Sequence, residues 1–184
     1  MKLKSLKNCK ILVTPTSFAK YNRSLAEELE NAVKGVVYNT SGKPLSEEEL
    51  IPLICDVDGY IAGLDEINAN VICAAKELKI IARYGTGVDK VDLKAAKEHG
   101  IYVTNTPGAN SVSVAELTIG LAIAAARNIL EGNNSTKKGG WPRLSGITLA
   151  DKTFGIIGLG SIGKEVAKRL KAFNSNIIAY DILY

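Results

Sequence analysis

The sequence is poor in the residues that build metal centres and disulfide frameworks. Its 184 residues include one histidine and three cysteines, and Cys9, Cys55 and Cys73 are widely separated, with no CxxC pair. An odd number of scattered cysteines is typical of free thiols in a reducing compartment, and we expect these thiols to be buried. The composition argues against a disulfide scaffold and against a metal site.

Long runs of one charge and long apolar runs are also missing. The formal net charge is only +4, and no block of lysines or arginines alternates with aromatic residues, as basic nucleic-acid surfaces require. The basic amino-terminal residues lack the apolar core of a signal peptide, because the run Ile11–Val13 ends at Thr14 and Pro15. We therefore expect a soluble cytoplasmic protein that binds neither nucleic acid nor membranes.

Short apolar runs alternate with helical segments along the first 107 residues. The runs lack strict alternation, which is typical of strands covered on both faces of a parallel sheet. Ser46 and Glu49 have the spacing of a capping box, and Gly100 stands where a helix should end. The pattern predicts a flavodoxin-like open parallel α/β sheet. Its predicted strands are 11–13, 35–38, 59–62, 79–82 and 101–103, with helices at 24–32, 46–54, 69–77 and 91–99.

A second region opens with a long apolar segment. The residues from Ser113 to Leu130 are apolar around almost the whole circumference of a helix, but Glu116 and Arg127 interrupt a stretch that is short for a bilayer. We predict one long helix buried between two domains or at a subunit interface. Glu116 follows Ser113 at the spacing of a capping box. The polar, glycine-rich stretch 131–146 is predicted to be a loop.

A glycine-rich turn between a predicted strand and a predicted helix is the main functional signal. Gly158, Gly160 and Gly163 have the GxGxxG spacing. In such a turn the first glycine allows the bend, the second lets a pyrophosphate approach the backbone, and the third lets the helix pack on the strand. The phosphates then lie at a helix N-terminus, where free N–H groups and the dipole favour negative charge. The predicted unit comprises a strand at 153–157, a helix at 162–173 and a strand at 176–181.

An acidic residue stands at the end of the second strand of this unit. Asp181 follows Gly163 at about the spacing of an acid that binds the adenosine ribose hydroxyls. A carboxylate there repels a 2′-phosphate, and the next three residues include no arginine to receive one. The pattern therefore favours NAD over NADP. The alternative is a glycine turn in an α/β protein that binds no nucleotide.

Several motifs, in this order, resemble those of the D-2-hydroxyacid dehydrogenases. They are Arg83 to Leu93, Thr104 to Asn110, Val114 to Leu117, Trp141 with Arg143, Lys152 to Gly160, and Tyr180-Asp181. The Gly85-Thr86-Gly87 loop places phosphoglycerate dehydrogenase as the nearest subgroup. The resemblance implies an NAD-dependent oxidoreductase that interconverts a D-2-hydroxy acid, expected to be 3-phosphoglycerate, and its 2-keto acid. It also implies a substrate-binding domain (1–107), an incomplete Rossmann NAD-binding domain (108–184), and a homodimer in the complete protein.

The resemblance implies roles for individual residues as well. The backbone N–H groups of Gly85-Thr86-Gly87 would receive the substrate carboxylate, since clustered glycines can turn amides into an anion nest. Thr86 would also lie near the nicotinamide. Ser161 and Ile162, together with the three glycines of the fingerprint, would contact the pyrophosphate, and Asp181 the ribose.

The sequence departs from the family's pattern in two ways. The family's catalytic arginine, histidine and glutamate lie beyond Tyr184, so we expect the chain to end inside its NAD-binding domain and to be inactive alone. The single histidine, His99, is expected only to end a helix, where a positive charge suits the dipole.

The second departure concerns the substrate. Residues 62–66, at and after the end of the third strand, include no basic residue that could contact a substrate phosphate. The identity of the substrate as 3-phosphoglycerate therefore stays open, although Lys43 could contact the phosphate instead. Arg83 either pairs structurally or faces the pocket. A corepressor-like NAD-binding regulatory protein on the same scaffold is the alternative function.

Overall fold

The computed structural model describes residues 4–183. The chain divides into two compact units, Met1–Pro107 and Gly108–Tyr184. Each unit contains a buried apolar cluster of its own, and each is described separately below.

The first unit is a five-stranded parallel sheet with strand order β2-β1-β3-β4-β5. This is the order of the flavodoxin-like doubly wound fold, so the predicted fold is confirmed. After a short 3-10 turn at Leu6–Asn8, its elements are β1 (Lys10–Val13), α1 (Ser24–Ala32), β2 (Gly35–Tyr38), α2 (Glu47–Ile54), β3 (Gly59–Ala62), α3 (Ala69–Ala74), β4 (Ile80–Arg83), α4 (Leu93–Glu98) and β5 (Tyr102–Thr104).

The core of the first unit is built across the central strands. Leu12, Tyr60 and Ile81 occupy matching positions on β1, β3 and β4, and each is at most 1% exposed. They belong to one buried cluster with aliphatic side chains of α2 and α3, including Leu50 and Ile72. Burying each such aliphatic side chain stabilises the fold by ~1.5–3 kcal/mol. Burial is greatest on β3, whereas Ile80 of β4 and Tyr102 of β5 are exposed within this unit.

Local side-chain chemistry sets the helix ends in this unit. Ser46 and Glu49 form the predicted capping box at the start of α2. Helix α4 begins at Leu93, later than predicted, because the Asp92 side chain caps it by accepting from the Ala95 amide at 2.9 Å. Helix α3 is shorter than predicted and ends at Ala74. The chain leaves the helix at Ala75, and Leu78 is then buried in the core.

The second unit combines three helices with a two-stranded parallel sheet. Its elements are α5 (Ser111–Ala126), α6 (Ile129–Lys137), β6 (Thr153–Ile157), α7 (Ser161–Lys171) and β7 (Asn176–Tyr180). Ala115 and Ile119 of α5 pack against Val166 and Leu170 of α7. The strand–helix–strand order around the glycine turn agrees with the sequence prediction.

The predicted single helix from Ser113 to Leu130 is wrong. Asn128 adopts a left-handed conformation (φ 51°) and divides the segment into α5 and α6, which are bent by 64°. Its side chain donates to the carbonyl oxygen of Ser145 at 2.7 Å, which helps to hold the break. Residues predicted as loop therefore belong to α6. Within the described chain α5 buries only one face, since Leu117 is 63% exposed.

The predicted capping box at Ser113 is also wrong. Helix α5 begins at Ser111, so Ser113 lies inside its first turn and donates to the Asn110 carbonyl oxygen at 3.0 Å. Glu116 instead lies 3.4 Å from Arg169 of α7, an ion pair between the two helices. Ser111, the first residue of the helix, is buried.

The thiols differ from the prediction in their exposure. All three cysteines are free, but Cys55 and Cys73 are exposed and Cys9 is half-buried. Across residues 4–183 no single helix is long and apolar enough to cross a membrane. The bent pair α5 and α6 would be long and apolar enough only if the two helices were counted together. In the same residues no three His, Cys, Asp or Glu side chains cluster as metal ligands would.

Candidate functional site

The turn between β6 and α7 is shaped by its own glycines. Gly158 has φ 92°, a conformation that a side chain disfavours, and its N–H donates to the Tyr180 carbonyl oxygen on β7 at 2.8 Å. A Cβ at Gly163 would lie 3.1 Å from the carbonyl carbon of Gly158 and well inside contact distance of its oxygen. Both positions therefore require glycine, for the bend and for the close approach of helix and strand.

Gly160 differs from Gly158 and Gly163, because no contact with another protein atom requires a glycine at this position. A Cβ there would meet nothing within 4 Å. Gly160 precedes α7, and no side chain of residues 4–183 caps this helix end. The first amides of α7, at Ser161 and Ile162, remain available for an anion. Open space beside Gly160 and uncapped amides fit a pyrophosphate, so the predicted cofactor contacts are stereochemically consistent and stay predictions.

Asp181 binds the glycine turn directly, a contact that the sequence did not indicate. Its carboxylate accepts from the Leu159 amide at 2.6 Å and from the Leu183 amide at 2.9 Å. The amides of Leu183 and Leu159 lower the pKa of Asp181 from its ordinary value. Each carboxylate oxygen takes one of these bonds and keeps a further lone pair. Ribose hydroxyls could still donate to it, so the predicted ribose contact fits.

In the first unit, the loop Gly85–Gly87 follows β4. Gly85 has φ 156°, and its N–H already donates to the Arg83 carbonyl oxygen at 2.8 Å. Within residues 4–183, the hydrogen bonds do not include the amides of Thr86 and Gly87 as donors. Of the three amides predicted to receive a carboxylate, two are free to do so.

Residues after β5 orient these two amides. Asn105 Nδ2 donates to the Thr86 carbonyl oxygen at 2.7 Å. The Thr106 amide and hydroxyl donate to the Gly85 carbonyl oxygen at 3.0 and 3.1 Å. In a trans peptide the C=O and the following N–H point in opposite directions. The amides of Thr86 and Gly87 therefore point away from Asn105 and Thr106. Sequence reasoning missed both supporting residues.

Arg83 lies beside this loop and lines a cavity of about 290 Å³. Its guanidinium Nη1 donates to the carbonyl oxygens of Ala62 and Tyr84 at 3.2 and 3.0 Å. The residue is 8% exposed, its Nε has no partner among the described residues, and their ion pairs do not include it. Arg83 therefore makes structural hydrogen bonds to two carbonyl oxygens and also lines the cavity.

A buried carboxylate fastens the walls of the same cavity. Asp65 is fully buried and accepts from the Leu45 amide at 2.6 Å, the Tyr60 hydroxyl at 2.9 Å and the Thr14 hydroxyl. Burial and the nearby Asp65 raise the pKa of the Tyr60 hydroxyl, which keeps it protonated as a donor. The ends of β1 and β3 and the segment before α2 therefore meet at one side chain. The cavity walls formed there comprise Thr14, Pro15, Pro44, Gly63 and Leu64.

Two residues considered as candidates make other contacts. Lys43 is engaged in an ion pair with Glu49 at 3.1 Å. His99 ends α4, and its Nδ1 lies 2.9 Å from the Ala95 carbonyl oxygen, as expected for a helix-ending residue. In a parallel α/β unit the helices run opposite to the strands. His99 therefore lies at the edge where the strands begin, opposite the loop Gly85–Gly87.

The fold and these loops define a class of doubly wound α/β proteins with a glycine turn of the dinucleotide-binding type. Comparison with known proteins narrows this class. The family described as D-isomer specific 2-hydroxyacid dehydrogenase, catalytic domain, matches residues 10–180. The chain belongs to this family of oxidoreductases.

Individual relatives support the assignment. The chain is 51% identical over 140 residues to the D-3-phosphoglycerate dehydrogenase of Methanocaldococcus jannaschii, covering 74% of the chain and 27% of the relative. It is 43% identical over 171 residues to the hydroxypyruvate reductase of Thermotoga maritima, covering 89% and 56%. The NAD⁺-bound 3-phosphoglycerate dehydrogenase of Entamoeba histolytica has a TM-score of 0.75 at 32% identity, covering 96% of this chain and 55% of that one. The chain thus spans between about a quarter and about half of these proteins.

Proposed function

We propose that this chain forms part of an NAD-dependent oxidoreductase that interconverts a D-2-hydroxy acid and its 2-keto acid. One observation supports this beyond the family membership. Each unit presents uncommitted backbone amides in a glycine loop that follows a parallel strand: Thr86 and Gly87 in the first unit, and Ser161 and Ile162 in the second. Amides of this kind suit the two anionic groups of the reaction, a substrate carboxylate and a cofactor pyrophosphate.

The cofactor's share of the chemistry would be the hydride, which NAD accepts or donates when bound. The protein's share in this part of the chain is binding and orientation. The first turn of α7 would hold the pyrophosphate, and Asp181 would accept from the ribose hydroxyls. The negative charge of Asp181 would repel a 2′-phosphate, which supports NAD over NADP.

For the substrate we propose an acid with a second anionic group, with 3-phosphoglycerate as the favoured candidate. The Arg83 guanidinium lies beside the proposed carboxylate site, because a Cβ at Gly85 would be 3.3 Å from its Nη1. The buried Arg83 Nε–H has no partner among the described residues, and an anion that entered the cavity could accept from it, since a buried donor is costly to leave unsatisfied. Two adjacent anion receptors suit a substrate with two anionic groups better than D-glycerate, which has only its carboxylate.

Proton transfer is assigned to residues outside these 184. Reduction of a keto acid needs a proton donor within hydrogen-bond reach of the carbonyl, and the chain's single histidine lies at the opposite edge of the first unit's sheet. We therefore expect the 184-residue chain alone to show no turnover of any 2-hydroxy acid. Turnover by the purified chain, free of host dehydrogenases, would contradict this assignment.

Calorimetric titration of 3-phosphoglycerate and of D-glycerate against the 184-residue chain tests the substrate. We expect 3-phosphoglycerate to bind at least about tenfold more tightly, which corresponds to ~1.4 kcal/mol. Arg83→Gln should remove most of this preference, whereas Lys43→Gln, the matched surface control, should leave it unchanged. Equal binding of the two acids would reject the second anion site. The NAD proposal would be unaffected, because nucleotide binding is measured separately.

A further inference from the structure

The three free thiols of the chain have different hydrogen-bond partners. Cys9 Sγ donates to the Ser5 carbonyl oxygen, and Cys55 Sγ donates to the Pro52 carbonyl oxygen, each at 3.4 Å. Cys73 Sγ lies 3.5 Å from the Nε2 of His99 instead. A backbone carbonyl can accept a thiol hydrogen bond but cannot take up the proton. An imidazole nitrogen can do both.

The contacts of the His99 ring determine which nitrogen faces the thiol with a lone pair. Its Nδ1 lies 2.9 Å from the Ala95 carbonyl oxygen, which can only accept, so Nδ1 carries the proton. In the neutral ring Nε2 is then an acceptor directed at Cys73. A nucleophile in contact with a base that a third group orients is the arrangement used to activate thiols.

We propose that Cys73 and His99 form a reactive thiol site for small electrophiles, with peroxides as the chemical class of modifying agent. The thiol proton moves to His99 Nε2 as the sulfur attacks one oxygen of the peroxide. The O–O bond breaks and an S–O bond forms. The leaving oxygen takes the proton from His99, so cysteine is oxidised to a sulfenic acid while the peroxide is reduced to water or an alcohol.

The site is accessible and separate from the substrate loop. Cys73 and His99 are both exposed. They lie near the ends of α3 and α4, and therefore at the edge where the strands begin. The Gly85–Gly87 loop follows β4 at the opposite edge. Modification at Cys73 would not block the proposed substrate site, and the inference does not depend on the proposed function.

Competitive labelling of the reduced 184-residue chain tests the proposal. The chain is treated with limiting iodoacetamide, a neutral electrophile, and the alkylated fraction of each cysteine peptide is measured by mass spectrometry. We expect Cys73 to react ~fivefold or more faster than Cys55, because both are exposed and only Cys73 faces a base. The sulfur displaces iodide from carbon, and the thiol proton goes to His99.

The variant His99→Gln separates activation from exposure. A glutamine can accept the thiol hydrogen bond but cannot take the proton, so the Cys73 rate should fall to within about twofold of the Cys55 rate. The rates of Cys9 and Cys55 should not change. Hydrogen peroxide followed by a sulfenic-acid probe should label Cys73 in the wild type and much less in the variant.

Two results would overturn the proposal. One is a Cys73 rate equal to that of Cys55 in the wild type, which needs no variant and remains decisive if His99→Gln does not fold. The other is an unchanged ratio of the two rates in a folded His99→Gln chain, because the reactivity would then come from exposure alone.

Discussion

The loop Gly158–Gly163 takes its bend from its own glycines and has one further contact from Asp181 after β7, whereas the loop Gly85–Gly87 is held mainly by two residues that follow the next strand. In the first, Gly158 takes up a left-handed conformation and Gly163 leaves room for a carbonyl. In the second, Asn105 and Thr106 hold two carbonyl oxygens and thereby aim the amides.

The difference explains how well each loop can be read from sequence. A conformation that depends on residues within the turn leaves a local pattern, and GxGxxG is such a pattern. The contact of Asn105 with Thr86, nineteen positions earlier, leaves no such pattern in the residues of the loop itself. The shape of the loop Gly85–Gly87 can be recognised only through the family resemblance or from the structure.

The largest effect should come from filling the space at Gly163. Gly163→Ala places a methyl group against the Gly158 carbonyl, so the helix or the strand must move, at a cost of ~3 kcal/mol in the free energy of unfolding. Gly160→Ala is the matched control in the same turn, because its Cβ meets nothing. Urea unfolding should separate the two variants. Equal stabilities would show that the turn relaxes freely and that its shape is not forced.

The next effect concerns Asp181 and the nucleotide. Asp181→Ala removes charge-assisted hydrogen bonds from the ribose, which typically costs ~1.5–3 kcal/mol, or about one to two orders of magnitude in affinity. The affinity for NAD should fall markedly and the affinity for NADP only a little, so the difference between the two affinities should become smaller. Nicotinamide fluorescence titrations on the longest gene product that contains these residues provide the measurement. An unchanged NAD/NADP ratio would mean that Asp181 only supports the turn.

A smaller effect is expected at the side-chain-held loop. Asn105→Ala removes the donor to Thr86 and should cost ~0.5–1.5 kcal/mol of stability. It should also weaken binding of a substrate carboxylate, because the freed peptide no longer presents its amide. Thr106→Ser, which keeps the hydroxyl donor, is the control. Unaltered carboxylate binding in Asn105→Ala, measured by calorimetry, would show that the loop needs no support from β5.

The smallest effect is the titration of Asp181. Because amides lower its pKa, its NMR titration midpoint should lie below the ordinary ~3.9. Its contribution to the stability of the turn is present above that ordinary value and is lost as the pH falls through the lowered one. The Leu159 and Leu183 amide shifts should follow the same curve. Asp181→Asn should abolish this step; if the step persists, another group causes it.

Most of the fold could be predicted because its signals are local. The apolar runs, the Ser46 capping box and Gly100 each act within a few residues. The errors arose where distant contacts decide the conformation. Nothing near Asn128 indicates that the Ser145 carbonyl will help to hold a break there. Likewise, the sequence could not indicate that Cys73 would be exposed beside His99, because the two residues lie on different helices.

The candidate site divides in the same way. The glycines and Asp181 are recognisable from spacing, but the contact of Asp181 with Leu159 depends on how two strands align. Asp65 gave no signal at all, since an isolated aspartate after a strand is ordinarily exposed. Its burial requires donors from Thr14, Leu45 and Tyr60, which only the folded sheet brings together.

The residues around the cavity fall into two groups: those that hydrogen-bond to the Asp65 carboxylate and form its frame, and those that only line it. The Thr14 and Tyr60 hydroxyls donate to this one acceptor, so the effects on stability of substituting these two residues should not be additive. Ser17 and Leu64 line the same cavity but make no bond to that carboxylate. They can vary in size and polarity on a fixed frame. Substitutions at Ser17 and Leu64 should therefore change the lining of the cavity with little effect on the stability of its frame, whereas loss of the Asp65 carboxylate should destabilise the frame itself.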